Sequence, residues 1–257
     1  MVESHQRIYN PPVDSLNGKT VLVTGGAKRL GRETALRLAK AGADVAITFL
    51  NSQADAQRTV VDISSFGVRA LSLRCDVRDE KQIQATLDEL LRELGRLDIL
   101  VNNAGRYESV EFDKISVAQW DDMFATNTRA PYLMSRAAAG ELRRQKGRII
   151  HLGSLGGRRP WVDHAHYCAS KAALEMLNQV MAKALAPEIA VNCVAPGMID
   201  LGEKKPSAFL KKLAEKTPMK RNGTAADVAE AVLFFATAPH FATGQTLVVD
   251  GGLELVG

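Results

Sequence analysis

Tyr167 and Lys171, four apart in Tyr-Cys-Ala-Ser-Lys, are the pair in this sequence best suited to moving a proton. On a helix that spacing sets both side chains on one face, about one turn apart. A free tyrosine hydroxyl titrates near 10, too high to shuttle protons readily at neutral pH; a nearby ammonium stabilises the phenolate and lowers that value. Ser154 lies upstream, just past the run 148–152, where parallel sheets gather their ligands, and its hydroxyl can hold a substrate oxygen beside Tyr167.

A second constellation is Thr24-Gly-Gly-Ala-Lys-Arg-Leu-Gly31, between a strand and a helix. Glycines let the backbone approach a pyrophosphate, and the free amides of the helix N-terminus favour its charge. The spacing is Thr-Gly-x5-Gly, not the common GxGxxG. After the second strand, Phe49-Leu50-Asn51-Ser52 offers no carboxylate to accept from a ribose 2′-hydroxyl, whereas Lys28 and Arg29 lie in the loop. Cations with the polar Asn51 and Ser52 suit a 2′-phosphate, so the expected cofactor is NADP(H).

These residues need rigid elements to hold them. The sequence predicts strands at 19–24, 44–48, 68–74, 97–101, 148–152, 189–194 and 246–249. Helices alternate with them at 32–41, 53–66, 80–94, 117–144, 164–185 and 225–236, and the basic stretch before the last helix reads as irregular. Strands separated by helices give right-handed crossovers and a parallel sheet covered on both faces. The expected architecture is α/β: one Rossmann domain over 18–257, with a doubly wound seven-stranded parallel sheet flanked by helices. Residues 1–17 read as a flexible leader.

The 257 residues are 46% hydrophobic and 24% charged, which excludes disorder and collagen-like repeats. No apolar run reaches membrane-spanning length, and the start lacks a secretory h-region. Cys75, Cys168 and Cys193 are odd in number without a CxxC, consistent with reduced thiols in a cytoplasmic protein. The net charge of +4 is concentrated in two blocks, at 143–159 and 203–221, and the remainder is acidic. Aromatics are only 5%, and no nucleic-acid-binding module is visible.

Taken in order, Thr24-Gly25-x5-Gly31, Asp76, Asn102-Asn103-Ala104-Gly105, Asn127, Ser154, Tyr167-x3-Lys171 and Pro196-Gly197 resemble the short-chain dehydrogenase/reductase family. The resemblance spans about 18–252. It implies that Tyr167 is the general acid in ketone reduction, that Ser154 orients the carbonyl, and that Lys171 binds the nicotinamide ribose and depresses the Tyr167 pKa. Asn127 would anchor a water relaying protons to Lys171. Gly25, Leu30 and Gly31 would line the pyrophosphate, with Asp76 and Val77 at the adenine. Asn102, Asn103, Ala104 and Gly105 would flank the ribose, and Pro196, Gly197 and Ile199 would complete the cofactor site. Family members are mostly cytoplasmic dimers or tetramers.

Two departures stand out. Arg29 replaces the second glycine of the usual loop, as in pteridine reductases and some NADPH-dependent ketoreductases, and Leu201 stands where a threonine often follows Pro-Gly. Cations around a substrate mouth would suit an acidic acyl carrier protein, which makes a 3-oxoacyl-[acyl-carrier-protein] reductase the leading reading and pteridine reduction the runner-up. Solvated faces or subunit contacts are the alternative for both blocks. A silent cofactor-binding regulator is the reading from another class, but such proteins usually lose the tyrosine or lysine kept here. No metal site is expected: His164 and His166 lack a third ligand within reach. With Trp161 they read as pocket lining, and His151 as a satisfied core histidine.

Overall fold

The structure is a computed structural model that describes residues 16–202 and 208–256. β1 (Thr20–Val23), β2 (Asp44–Phe49), β3 (Ala70–Arg74), β4 (Ile99–Asn102), β5 (Arg148–Leu152), β6 (Ala190–Pro196) and β9 (Thr246–Val249) form one sheet. Its order is β3-β2-β1-β4-β5-β6-β9, and every pairing is parallel. A two-stranded ladder of β7 (Ile199–Asp200) and β8 (Gly223–Thr224) lies apart from it.

Alternation along the strands builds two cores. Val21, Val23, Ile99, Val101, Ile150 and Leu152 turn toward α1 (Arg29–Lys40), α2 (Gln53–Ser64) and α8 (Ala225–Thr237). Leu22, Leu100 and Ile149 turn to the other face, against α3 (Glu80–Leu94), α5 (Ala130–Gln145) and α6 (Ala165–Leu185). A sheet buried on both faces needs apolar residues at both parities, and these strands carry them. The α3 boundaries follow from capping: the Asp79 carboxylate accepts from the Lys81 and Gln82 amides, and Gly95 ends the helix at φ +83°.

Two expectations need correction. The continuous helix over 117–144 is α4 (Val117–Phe124) and α5 joined by a π-helical turn, Ala125–Arg129. Pro131 has no N–H to give the carbonyl four residues back, at Asn127, so α-winding fails there. The basic stretch also contains a helix, α7 (Ala208–Lys216), in which Leu210, Leu213 and Ala214 recur at helical spacing among exposed lysines. Of the expected leader, residues 1–15 lie outside the described residues, and Leu16 is buried in the first core.

Candidate active site

The carboxyl ends of the central strands converge where β1 and β4 separate. Thr24 locks this point: its hydroxyl donates to the Val101 carbonyl (3.3 Å) and accepts from the Asn103 and Ala104 amides (both 3.0 Å). The Asn103 amide donates to the Thr24 and Gly25 carbonyls (2.8 and 3.1 Å), so this side chain braces the loop from the cleft wall. Gly25 has φ +65°, and a Cβ there would stand 3.1 Å from the Ala104 Cα. Arg29 adopts φ +52° in the left-handed region, which accounts for the glycine usual at this point.

The loop opens on a cleft of about 910 Å³. Of the expected cofactor residues, Gly25, Lys28, Arg29, Leu30, Gly31, Asp76, Val77, Asn103, Ala104 and Gly105 line it. Asn51 and Ser52 do not; Leu50 takes that place, because the chain turns at once into α2, whose N-cap is Ser52. Pro196, Gly197 and Ile199 also lie off this cleft. Pro196 completes β6, Gly197 packs so tightly on Asp250 that a Cβ would come within 2.5 Å of its Cβ, and Ile199 belongs to β7. Asn102 is buried, its amide donating to Ser135 Oγ (3.1 Å) and His151 Nδ1 (3.3 Å), because strand parity aims it into the interior.

Charge within the cleft is partly spent. Lys28 pairs with Asp55 at 2.7 Å, and the Asp76 carboxylate is held by Arg78, which keeps it below the ordinary aspartate range. The first basic block divides. In a parallel sheet Arg143, Arg144, Lys146 and Arg148 fall at the amino end of β5, opposite the carboxyl ends that gather the site. Arg158 pairs with Glu175 and Glu254, and Arg159 donates to the Leu253, Glu254 and Val256 carbonyls. In the second block Arg221 pairs with Asp227 and Lys220 donates to the Glu215 carbonyl; Lys204 and Lys205 lie outside the described residues.

Ser154, Tyr167 and Lys171 lie at the end of β5 and along the start of α6. Ser154 follows β5 and accepts from the Gly156 amide (3.0 Å); Tyr167 is in the first turn of α6, and Lys171 lies one turn on. The Lys171 ammonium donates to the Leu152 carbonyl (2.7 Å), and full burial pulls its pKa down to about 8. The Ser154 hydroxyl acts to lower the Tyr167 pKa, but burial outweighs it and pushes the phenol up to about 12. Burial, rather than Lys171, therefore sets this phenol, which stays protonated at neutral pH.

Asn127 lies on the π-turn with its side chain engaged. Its amide donates to the Arg106 carbonyl (2.9 Å) and Ser170 Oγ (3.0 Å), and its oxygen accepts from the Arg106 amide (2.7 Å). This fastens the chain after Gly105 to α6.

Tyr107 belongs to none of the sequence motifs, although it follows Asn102-Asn103-Ala104-Gly105 by two residues. It lines the cleft and meets Tyr167 edge-on, and Trp161 and His164 complete the ring of aromatics. His166 is fully buried near Glu108, so it is not pocket lining; it belongs to the inward face of α6. His151 accepts from Asn102 at Nδ1, while Nε2 has no partner, so its satisfaction is only partial. Burial drives its pKa down to about 3. Among the described residues no group of three His, Cys, Asp or Glu could hold a metal, and no helix is long and apolar enough to cross a membrane.

A family model described as enoyl-(acyl carrier protein) reductase matches residues 25–254. The chain is also 33% identical over 242 residues to the 3-oxoacyl-[acyl-carrier-protein] reductase FabG of Staphylococcus aureus, covering 92% of this chain and 98% of that one. The chain belongs to the short-chain dehydrogenase/reductase family. It is similar to a blue fluorescent protein from a metagenomic library solved with NADPH (TM-score 0.87, 31% identity, 93% of this chain and 99% of that one). It is also similar to a 7α-hydroxysteroid dehydrogenase complexed with NADH and 7-oxo glycochenodeoxycholic acid (TM-score 0.89, 31% identity, 95% and 98% covered). The chain is thus an oxidoreductase of this family with a site for a nicotinamide cofactor.

Proposed function

We propose that this oxidoreductase is an NADPH-dependent ketoreductase in which Tyr167 is the proton donor. The observation that carries the reading is a buried phenol one helical turn from a buried Lys171, with Ser154 acting on its hydroxyl, beside a glycine-lined cleft. The cleft fits a dinucleotide: Gly25 and Gly31 leave no room for a Cβ, and no carboxylate ends β2, where Leu50 lines the wall. Lys28 and Arg29 at the same corner favour a 2′-phosphate.

When bound, the nicotinamide supplies hydride to the carbonyl carbon. The chain supplies the rest. Ser154 donates to the carbonyl oxygen and fixes its direction, and the Tyr167 phenol gives that oxygen its proton as the C=O π bond breaks, leaving a phenolate. Lys171, 3.7 Å from where a Gly105 Cβ would stand, brings positive charge to the floor of the cleft and to the cofactor ribose. Asn127 holds Arg106, and with it the wall that precedes Tyr107.

The FabG relative supports a 3-oxoacyl substrate on acyl carrier protein and a soluble, fatty-acid-type reductase. The expected ring of cations at the mouth gives less support, since Arg158 and Arg159 are paired and Arg143–Arg148 face the other end of the sheet. Arg29 in place of the loop glycine favours pteridine reduction as the second reading. A homotetramer in the cytoplasm remains the assembly and location we expect from the family. NADPH consumption with acetoacetyl thioester, a dihydrobiopterin and simple ketones tests the proposal. Turnover of a ketone supports it; turnover of the pterin alone transfers the assignment to the second reading, and none at all supports a regulator.

A further inference from the structure

Three aromatic side chains enclose the proton donor. Tyr107 meets the Tyr167 ring edge-on (centroids 5.0 Å apart, 87°), Trp161 lies nearly parallel to it (6.0 Å, 16°), and His164 is tilted against it (6.5 Å, 73°). They also hold one another, since His164 stacks on Tyr107 (5.0 Å, 30°) and meets Trp161 edge-on (5.9 Å, 87°). With aromatics at only 5% of the chain, this gathering around one hydroxyl is a local feature rather than a general richness in rings. Tyr167 is 9% exposed and Tyr107 61%, so Tyr107 is the ring on the solvent side, and it also lines the cofactor cleft. A carbonyl that reaches the Tyr167 hydroxyl brings the rest of its molecule against ring faces and edges.

A flexible acyl chain gains only area from such a wall. A flat ring also gains the offset or edge-on geometry that aromatic pairs prefer, about three- to tenfold in an equilibrium for each good pair. The cage is polar at its rim: the Tyr107 hydroxyl and His164 Nε2 lie 2.7 Å apart. We propose that the substrate is a ketone carried on a planar aromatic ring system, which packs among Tyr107, Trp161 and His164 in preference to a linear 3-oxoacyl chain. The inference rests on Tyr167 being the proton donor and narrows the substrate of that same site.

The test compares 2-tetralone with trans-2-decalone, which share a skeleton and a carbonyl position but differ in that only the first has a flat aromatic ring. Acetoacetyl thioester is the linear control. With NADPH and the full chain, kcat/KM is expected to be about tenfold or more higher for 2-tetralone than for the decalone. Trp161→Leu is expected to collapse that ratio toward one, and Trp161→Phe to restore most of it. The Phe variant and the wild-type ratio decide the matter if the Leu variant does not fold. Equal kcat/KM for the two ring ketones in the wild type, or a marked preference for the thioester, overturns the proposal while leaving the ketoreductase reading intact. Absence of NADPH consumption with all three ketones overturns both.

Discussion

The Tyr107 hydroxyl and His164 Nε2 are hydrogen-bonded at 2.7 Å across the mouth of the site. His164 Nδ1 is 2.6 Å from the Val162 carbonyl, which can only accept, so Nδ1 donates there and the bond to Tyr107 is left to Nε2. Tyr107→Phe keeps the ring against Tyr167 and removes this bond, whose net worth is about 1 kcal/mol. Steady-state kinetics should show KM for a ketone substrate raised by about fivefold, with kcat changed less. An unaltered KM would mean that the bond does not order the mouth.

Removing the proton donor is the most direct check on the chemistry. Tyr167→Phe should lower kcat by about two to four orders of magnitude while leaving NADPH affinity nearly unchanged, as read by cofactor fluorescence. The pH profile carries separate information. Lys171, at about 8, bears its charge below that value and loses it above. Tyr167, at about 12, holds its proton well beyond that point. Reduction should therefore decline as pH rises through about 8, before the phenol itself ionises; a plateau to pH 10 would contradict the role given to Lys171.

The Lys28–Asp55 ion pair at 2.7 Å works against a bound 2′-phosphate, because the carboxylate claims the same ammonium. Asp55→Asn should release Lys28 and tighten NADPH by up to about fivefold, the scale of an exposed pair, with NADH unaffected. Arg29→Ala should weaken NADPH by about tenfold and NADH far less. Fluorescence titrations with both cofactors read both variants, and equal effects on NADPH and NADH would remove the 2′-phosphate from this corner.

His151 gives the fold a pH dependence of its own. Its folded pKa is depressed to about 3 from the usual 6.5, so between those values the unfolded chain takes up a proton that the native state refuses. Stability from this group is complete above about 6.5 and drains away as pH falls toward 3. Thermal unfolding should show a lower Tm at pH 4.5 than at pH 7, and His151→Asn should reduce that difference. A variant with the same pH slope would place the acid sensitivity elsewhere.

Much of this arrangement was legible in the chain because local rules and global fold agree. The strand at 148–152 and the helix at 80–94 have the predicted bounds, the first from a β-branched run and the second from Gly95, with the Asp79 cap seen only in the fold. Tyr167, Lys171 and Ser154 could be placed from helical spacing and a strand end. What escaped depends on tertiary geometry. Leu50 displaced Asn51 and Ser52 because one residue of strand extension decides which side chain faces the cleft. Asn102 turned inward through strand parity, which a four-residue motif does not reveal. The α7 segment buries no residue, so its apolar spacing is weak against its lysines. Tyr107 carries no motif; only the folded loop brings it to Tyr167.

The π-turn at Ala125–Arg129 acts as a phase shift. One added residue in a single turn offsets the angular register by about 100°, so Trp120 and Asn127 are not bound to the face that uninterrupted winding would give them. Deleting one residue within that turn would restore the ordinary pitch while rotating Asn127 away from Arg106 and Ser170. The helix would become more regular as the catalytic wall lost its anchor. Insertions and deletions in this five-residue span should therefore be far less tolerated than on the surface of α3, an asymmetry that a deletion scan read by NADPH turnover would display.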